Sequence, residues 1–223
     1  MKRYQYAFFD LFFTLITPNY GAVTEYDALN ISREEWEFIS EDKDLYRERV
    51  LGMEKKPSKI ISKILLKGNI KISDNIVEKI LEIRTQRFKN ALRNIDQDVI
   101  DTLSNLKKAE IKLCLISNAD VIDVKYWNKS KLAPYFEKVV FSFKYGVMKP
   151  QKGIYTLALK EIDACPNKSI FIGDGGDDEL IGAKKVGMDT ILAECYMTRQ
   201  EKHFNRVADY CIDKFKDIEK ILI

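Results

Sequence analysis

Residues 6–15 read Tyr6-Ala7-Phe8-Phe9-Asp10-Leu11-Phe12-Phe13-Thr14-Leu15, and this stretch decides the fold. The apolar and aromatic run Tyr6 to Phe9 is too short for a helix and lacks polar alternation, so it reads as a strand buried on both faces. Asp10 stops the run. A carboxylate in the loop after a buried strand faces the strand-end crevice and is partly desolvated, as a nucleophile requires; taken alone, a turn or cap aspartate is the plainer reading.

Working outward, the same pattern recurs at Leu113 to Ile116 before Ser117, at Val139 to Phe141, at Ser169 to Ile172 before Gly173, and at Thr190 to Leu192. Between these runs lie segments of helical period, for example Ile154, Leu157, Ala158 and Ile162, opened by Pro150 at a first helical position. Another runs from about Asp178 to Val186 and stops at Gly187 as a C-cap. Strand alternating with helix predicts an α/β fold with a doubly wound, Rossmann-like parallel sheet, ligands binding at the carboxyl ends of its strands.

The interval 16–94 breaks that alternation, with helical periodicity and little strand signal. We expect a core of residues 1–15 and 95–223 carrying an inserted α-helical cap of residues 16–94. Ser32 and Glu35 have capping-box spacing before a helix with Trp36, Phe38 and Ile39 inward. Ser73 caps a second helix carrying Ile76, Val77, Ile80, Leu81, Ile83 and Phe88. Leaving after the first strand and returning before the second, the insert must lie over that strand's C-terminal end, as a lid.

Length and composition narrow the function classes. At roughly 100 to 200 residues per domain, 223 residues allow one large domain or a core with a modest insert. Hydrophobic residues at 46% and charged residues at 32% describe a globular chain with a real core. A net charge of +3 selects no nucleic-acid partner, and no run approaches the roughly 18 apolar residues of a membrane span. Met1-Lys2-Arg3 before apolar residues resembles a signal peptide, but Asp10 interrupts the run and no small-residue cleavage site follows. Cys114, Cys165, Cys195 and Cys211 share no metal-ligand spacing and are read as reduced thiols of a cytoplasmic protein. The single histidine, His203, sits in the polar stretch Gln200 to Asn205, so histidine-dependent triads and poly-His metal sites are poorly supported. Carboxylates must carry any catalysis.

Three further strand ends carry the rest. In Leu115-Ile116-Ser117-Asn118-Ala119-Asp120 a hydroxyl and fresh backbone N–H groups suit an oxyanion, or equally a helix N-cap. In Gly146-Val147-Met148-Lys149-Pro150 an ammonium precedes a helix start, where it would stabilise phosphoryl or carboxylate charge; a surface lysine is the plainer reading. Phe171-Ile172-Gly173-Asp174-Gly175-Gly176-Asp177-Asp178-Glu179 empties a strand into four acids within six residues. Those acids repel one another unless a cation neutralises them, and oxygen ligands favour Mg²⁺ over zinc or copper.

In this order, each at a strand end, the four segments resemble the haloacid dehalogenase-like (HAD) hydrolase superfamily, in its members with a helical cap after the first strand (C1 type). The resemblance implies that Asp10 is the nucleophile, with Thr14 and Ser117, beside Asn118, as hydroxyl-motif residues. It further implies that Lys149 stabilises charge and that Mg²⁺ is held by Asp10, the Phe12 backbone carbonyl and Asp174, with Asp178 an additional or outer ligand. A loop one residue longer than usual before Gly182-Ala183 leaves open whether Asp177 or Asp178 is the second acid. The expected function is a Mg²⁺-dependent phosphatase for a small phosphorylated metabolite; the oligomeric state is left open.

One position departs from that pattern. Phosphatases of the superfamily carry a second aspartate two residues after the nucleophile, to protonate the leaving oxygen; here Phe12 stands there. Losing such a group costs about 10² to 10⁴ in rate, least for good leaving groups. The superfamily's 2-haloacid dehalogenases are usually aromatic at this position, since halide leaves without a proton and without Mg²⁺; a metal-independent dehalogenase is therefore the alternative. The acid-rich loop and the lack of an arginine after Thr14 until Arg33 argue against it. A catalytically impaired, phosphate-binding descendant is the third reading, and leaves Asp10, Lys149 and Asp174 unexplained. Finally, lysines at 55, 59, 63, 67 and 71 recur every four residues, along one side of a helix if Gly68 allows it. They read as a solvated face, or as an attractor for anionic substrate or an acidic membrane.

Overall fold

The structure, a computed structural model, describes residues 3–18, 21–198 and 207–223. His203 lies outside the described residues, as do Met1, Lys2, Asn19 and the rest of the Gln200–Asn205 stretch.

Six parallel strands form one sheet in the order β3-β2-β1-β4-β5-β6: β1 Tyr6–Phe9, β2 Lys112–Ser117, β3 Lys138–Phe141, β4 Ser169–Gly173, β5 Asp189–Ala193 and β6 Tyr210–Ile212. The expected doubly wound sheet is present. β6 escaped the sequence reading because Tyr210, Cys211 and Ile212 make too short an apolar run to separate from a loop.

The sheet has two buried faces because successive side chains alternate. Ala7 and Phe9 of β1, with Leu113 and Leu115 of β2, pack on helix α6 (Gln97–Lys108) through Val99, Leu103 and Leu106. Phe8, Cys114 and Ile116 point the other way, onto α8 (Lys152–Glu161) and α9 (Glu179–Lys185) through Ile154, Tyr155, Leu180 and Ala183. Pro150 is not helical: it lies in the turn ahead of α8, whose N-cap is Gln151, and the Gln151 side chain accepts the Met148 N–H at 3.0 Å.

Helices α1 (Glu25–Leu29), α2 (Arg33–Ser40), α3 (Lys43–Val50), α4 (Pro57–Lys67) and α5 (Asp74–Arg93) lie between β1 and α6. Ser32 and Glu35 make a reciprocal capping box, and the Ser73 hydroxyl accepts the Ile76 N–H. Trp36, Ile39, Ile60, Ile61, Ile64, Leu65, Val77 and Ile80 form a separate core, joined by Ile122 from the segment after β2. Phe38 does not join it and is 77% exposed, because it lies about 200° around the helix from Trp36. α4 ends at Lys67, so the lysine row is broken at Gly68. Lys63 pairs with Glu48, and Lys67 with Asp42 at 2.5 Å, so two of the five lysines are held by acids of the neighbouring segment. Among the described residues no helix is long and apolar enough to cross a membrane.

Reversal of the strand order between β1 and β4 opens a crevice at their carboxyl ends, the usual ligand position in such sheets. Asp10 follows β1 and Asp174 follows β4, so the topology alone puts two carboxylates there.

Candidate active site

Asp10 continues the β1–β4 ladder, its N–H donating to the Ile172 carbonyl at 2.9 Å. The chain then folds back in a tight loop: Leu15 and Ile16 donate to the Leu11 carbonyl, and Phe13 takes a left-handed conformation at φ 59°. A bulky residue in that region costs energy and persists where the surroundings impose it. The fold-back returns Thr14 to Asp10, and its hydroxyl donates to Oδ2 at 3.2 Å. Both side chains are buried.

Lys149 sits between two carboxylates. Its ammonium contacts Asp10 Oδ1 and lies 2.5 Å from Glu179 Oε2, and all three residues are at most 5% exposed. Asn118 fixes the lysine backbone, its Oδ1 accepting the Lys149 N–H at 2.8 Å and its Nδ2 donating to the Lys149 carbonyl at 3.1 Å. Asp10, Asp174 and Glu179 each present an oxygen within 4.8 Å of the others. Burial raises the Asp10 carboxyl above its ordinary pKa, with Asp174 adding to the rise and Lys149 opposing it. Burial raises Glu179 further, again with Asp10 and Asp174 adding and Lys149 opposing. Burial works against the Lys149 charge, but Asp10 and Glu179 outweigh it and hold the ammonium well above the ordinary lysine range. Three buried acids facing one cation carry excess negative charge, and a hard divalent ion with oxygen ligands suits that set.

Here the structure departs from the sequence reading of the metal group. Asp178, expected as an additional or outer ligand, is exposed, at φ 52°, in the position just before α9; Glu179 takes the inward place. The cause lies in the loop, where Gly175, Asp177 and Asp178 all have positive φ and the extra residue is absorbed as a left-handed turn. Glu179 lies over Gly173, where an added Cβ would come within 2.0 Å of its Oε1, and that oxygen accepts the Gly175 N–H at 3.0 Å. Counting back from Gly182-Ala183 instead of forward from Asp174 would have pointed to Glu179. Asp177 turns elsewhere, accepting from Asn118 Nδ2 at 2.6 Å and from the Tyr46 hydroxyl at 2.8 Å. Ser117 ends β2, and its buried hydroxyl finds no partner among the described residues; no helix starts directly after it, so it is not an N-cap. Phe12 meets Phe88 of α5 edge to face.

A second buried polar group was not read from the sequence. Arg84 of α5 donates to Asp120 at 2.7 Å and Asp123 at 2.8 Å, and Arg49 of α3 approaches Asp120 at 3.3 Å. Burial opposes the Arg84 charge, but Asp120 and Asp123 more than restore it. The available signal was position: Arg84 falls on the inward stripe of Val77, Ile80 and Phe88, where a cation needs buried acids opposite it. A cavity of about 920 Å³ joins both groups, lined by Asp10, Lys149, Asp174 and Glu179 together with Trp36, Arg49, Arg84 and Phe88.

A parallel sheet of this order, with an aspartate after its first strand facing a lysine and two further acids, defines the class: an open α/β fold whose strand-end site is built on carboxylates. The sequence profile described as haloacid dehalogenase-like hydrolase matches residues 38–193, and the chain belongs to that family. A relative named glyceraldehyde 3-phosphate phosphatase, from Methanothermobacter thermautotrophicus, is 29% identical over 146 residues, which are 63% of this chain and 64% of that protein. The match thus spans a little under two thirds of that relative's length. A 2-haloacid dehalogenase from Pseudomonas syringae superposes with a TM-score of 0.67 at 20% identity, covering 98% of each chain. An enzyme of the family from Bacteroides thetaiotaomicron, solved with magnesium and inorganic phosphate, superposes with a TM-score of 0.66 at 19% identity over 90% of this chain and 99% of that one. At these identities the two superpositions speak for the fold.

Proposed function

We propose that the chain is a Mg²⁺-dependent phosphatase for a small phosphorylated metabolite, working through an aspartyl phosphate on Asp10. The observation that carries this reading is the meeting of Asp10 with Lys149, Asp174 and Glu179 in one buried cluster. Asp10, the Phe12 carbonyl, Asp174 and Glu179 would hold the metal, which offsets the repulsion between nucleophile and phosphate when bound. Asp10 attacks phosphorus in line, Lys149 and Ser117 hold the equatorial oxygens, and Thr14 keeps the Asp10 carboxylate oriented. Water then hydrolyses the acyl phosphate. Residues 16–94 act as the cap over a core of residues 1–15 and 95–223, excluding bulk water and selecting the substrate. A cytoplasmic location accords with free thiols at Cys114, Cys165 and Cys195.

Phe12 favours one second reading, a 2-haloacid dehalogenase in which the leaving halide needs no proton. The cluster of three carboxylates is the ground for ranking it second. A parallel assay of aryl phosphates, acyl phosphates and 2-haloacids, each with Mg²⁺ and with chelator, separates them. Metal-dependent phosphate release is expected; chelator-insensitive halide release would select the second reading, and silence with tight phosphate binding an impaired, phosphate-binding protein. Asp10→Asn should abolish turnover, and an active mutant would show the nucleophile to be elsewhere.

A further inference from the structure

We infer that Tyr46 of α3 donates the proton that Phe12 cannot, to the leaving oxygen of the phosphorylated substrate. The inference rests on the phosphatase reading and adds a residue to its machinery. In-line displacement by Asp10 sends the leaving oxygen away from the strand ends, toward the part of the cavity wall that α2, α3 and α5 supply through Trp36, Tyr46 and Phe88. Glu37, Glu41 and Asp123, which also line the cavity, each face an arginine at 3.1 Å or less, and a guanidinium does not release its proton. A phenol is the proton carrier that this wall offers.

Its position is fixed from two sides. Arg49 lies over the Tyr46 ring, 5.0 Å from its centroid, and the hydroxyl donates to Asp177 Oδ2 at 2.8 Å. The same oxygen accepts from Asn118 Nδ2 at 2.6 Å, and that amide also holds the Lys149 carbonyl at 3.1 Å. A chain of three hydrogen bonds therefore runs from the phenol to the lysine beside Asp10. A hydroxyl proton turns about its C–O bond, and Asp177 keeps the Asn118 bond when the phenol turns to substrate. As the bond from Asp10 to phosphorus forms and the bond from phosphorus to the leaving oxygen breaks, that oxygen takes the phenolic proton. The phenolate then takes a proton from the water that splits the acyl phosphate, which frees Asp10 and phosphate and restores the phenol. Burial first, and the Asp177 charge next, raise the phenol well above its ordinary pKa. It therefore keeps its proton at neutral pH, and it is a weaker acid than the carboxyl missing at position 12. Such an acid serves an alkoxide, the stronger base, and adds little for an aryl leaving group.

The test is kcat for propyl phosphate and nitrophenyl phosphate in Mg²⁺, measured for wild type, Tyr46→Phe, Phe12→Asp and the double mutant. Tyr46→Phe keeps the ring under Arg49 and removes the proton. It should lower turnover of propyl phosphate about tenfold or more, and of nitrophenyl phosphate less than about twofold. Beside Phe12→Asp the same change should cost less than about threefold on propyl phosphate, because a carboxyl at position 12 then supplies the proton. An unchanged rate on propyl phosphate, or equal losses on both substrates as a mere contact with Asp177 would produce, overturns the inference. So does a loss on propyl phosphate that persists in full beside Phe12→Asp. A wild type that hydrolyses nitrophenyl phosphate but not propyl phosphate overturns the inference alone; one that hydrolyses neither takes the phosphatase reading down with it.

Discussion

Phe12 and Phe88 meet edge to face with ring centroids 5.4 Å apart, joining the loop that carries Asp10 to α5, the longest of the helices between β1 and α6. The residue that stands where a proton donor is expected thus packs α5 against the loop that carries Asp10. Phe12→Asp separates the two consequences. Turnover of alkyl phosphates should rise by roughly 10²-fold, with a smaller gain on aryl phosphates, whose leaving group needs little protonation. Stability should fall by about 1 kcal/mol from the lost ring pair alone. Phosphate-release kinetics and urea midpoints on one preparation measure both, and a rate that does not rise contradicts the assignment of this position.

Glu179 and Asp178 are adjacent in sequence yet differ sharply in environment, the first 1% exposed against Lys149 and the second in open solvent. Glu179→Gln keeps the shape and removes the charge, and should raise the Mg²⁺ concentration for half-maximal activity at least about tenfold. Asp178→Asn should change it less than about twofold. A magnesium titration of activity reads both, and the opposite ranking would return the ligand role to Asp178.

How far the site was legible follows from what a linear pattern records. Asp10, Lys149 and Asp174 each stand just past the end of a strand or ahead of a helix, and in a parallel sheet such ends converge; the strand and helix pattern therefore points all three to one crevice. The choice between Asp178 and Glu179 turned on left-handed φ angles at Asp177 and Asp178, which neither residue's identity announces. Phe38 was misplaced because two apolar neighbours drew it into a face that helical geometry assigns to Trp36 and Ile39. Arg84 was passed over because a cation on an apolar stripe makes sense only once Asp120 and Asp123, some 36 and 39 residues on, are known to lie opposite.

That ion cluster makes a stability prediction. Asp120 is fully buried, and of the two arginines beside it Arg84 is the nearer, at 2.7 Å against 3.3 Å for Arg49. Arg84→Met should cost about 3 to 5 kcal/mol, since an uncompensated carboxylate is left in the interior. Arg33→Met, which removes an exposed pair with Glu37, should cost under about 1 kcal/mol. Chemical denaturation of the two mutants in parallel checks this; equal losses would mean that the buried cluster carries no special weight.

Asp209 ties β6 to β5 and has its own acid signature. Its carboxylate accepts from Lys184 Nζ at 2.6 Å, from the Thr190 N–H at 2.8 Å and from the Thr190 hydroxyl at 3.1 Å. Burial pushes its pKa up, but Lys184 and Thr190 together win and hold it below the ordinary aspartate value. A carboxylate whose folded pKa is lowered contributes stability that is fully present above its unfolded pKa of about 3.9, and loses it as pH falls through the folded value. Asp209→Asn should therefore cost about 1 kcal/mol at neutral pH, and the gap from wild type should close progressively below about pH 4. Urea denaturation of both proteins across that range measures the gap directly. A gap of constant size down to about pH 2 would assign the effect to hydrogen-bond geometry instead of to the charge on Asp209.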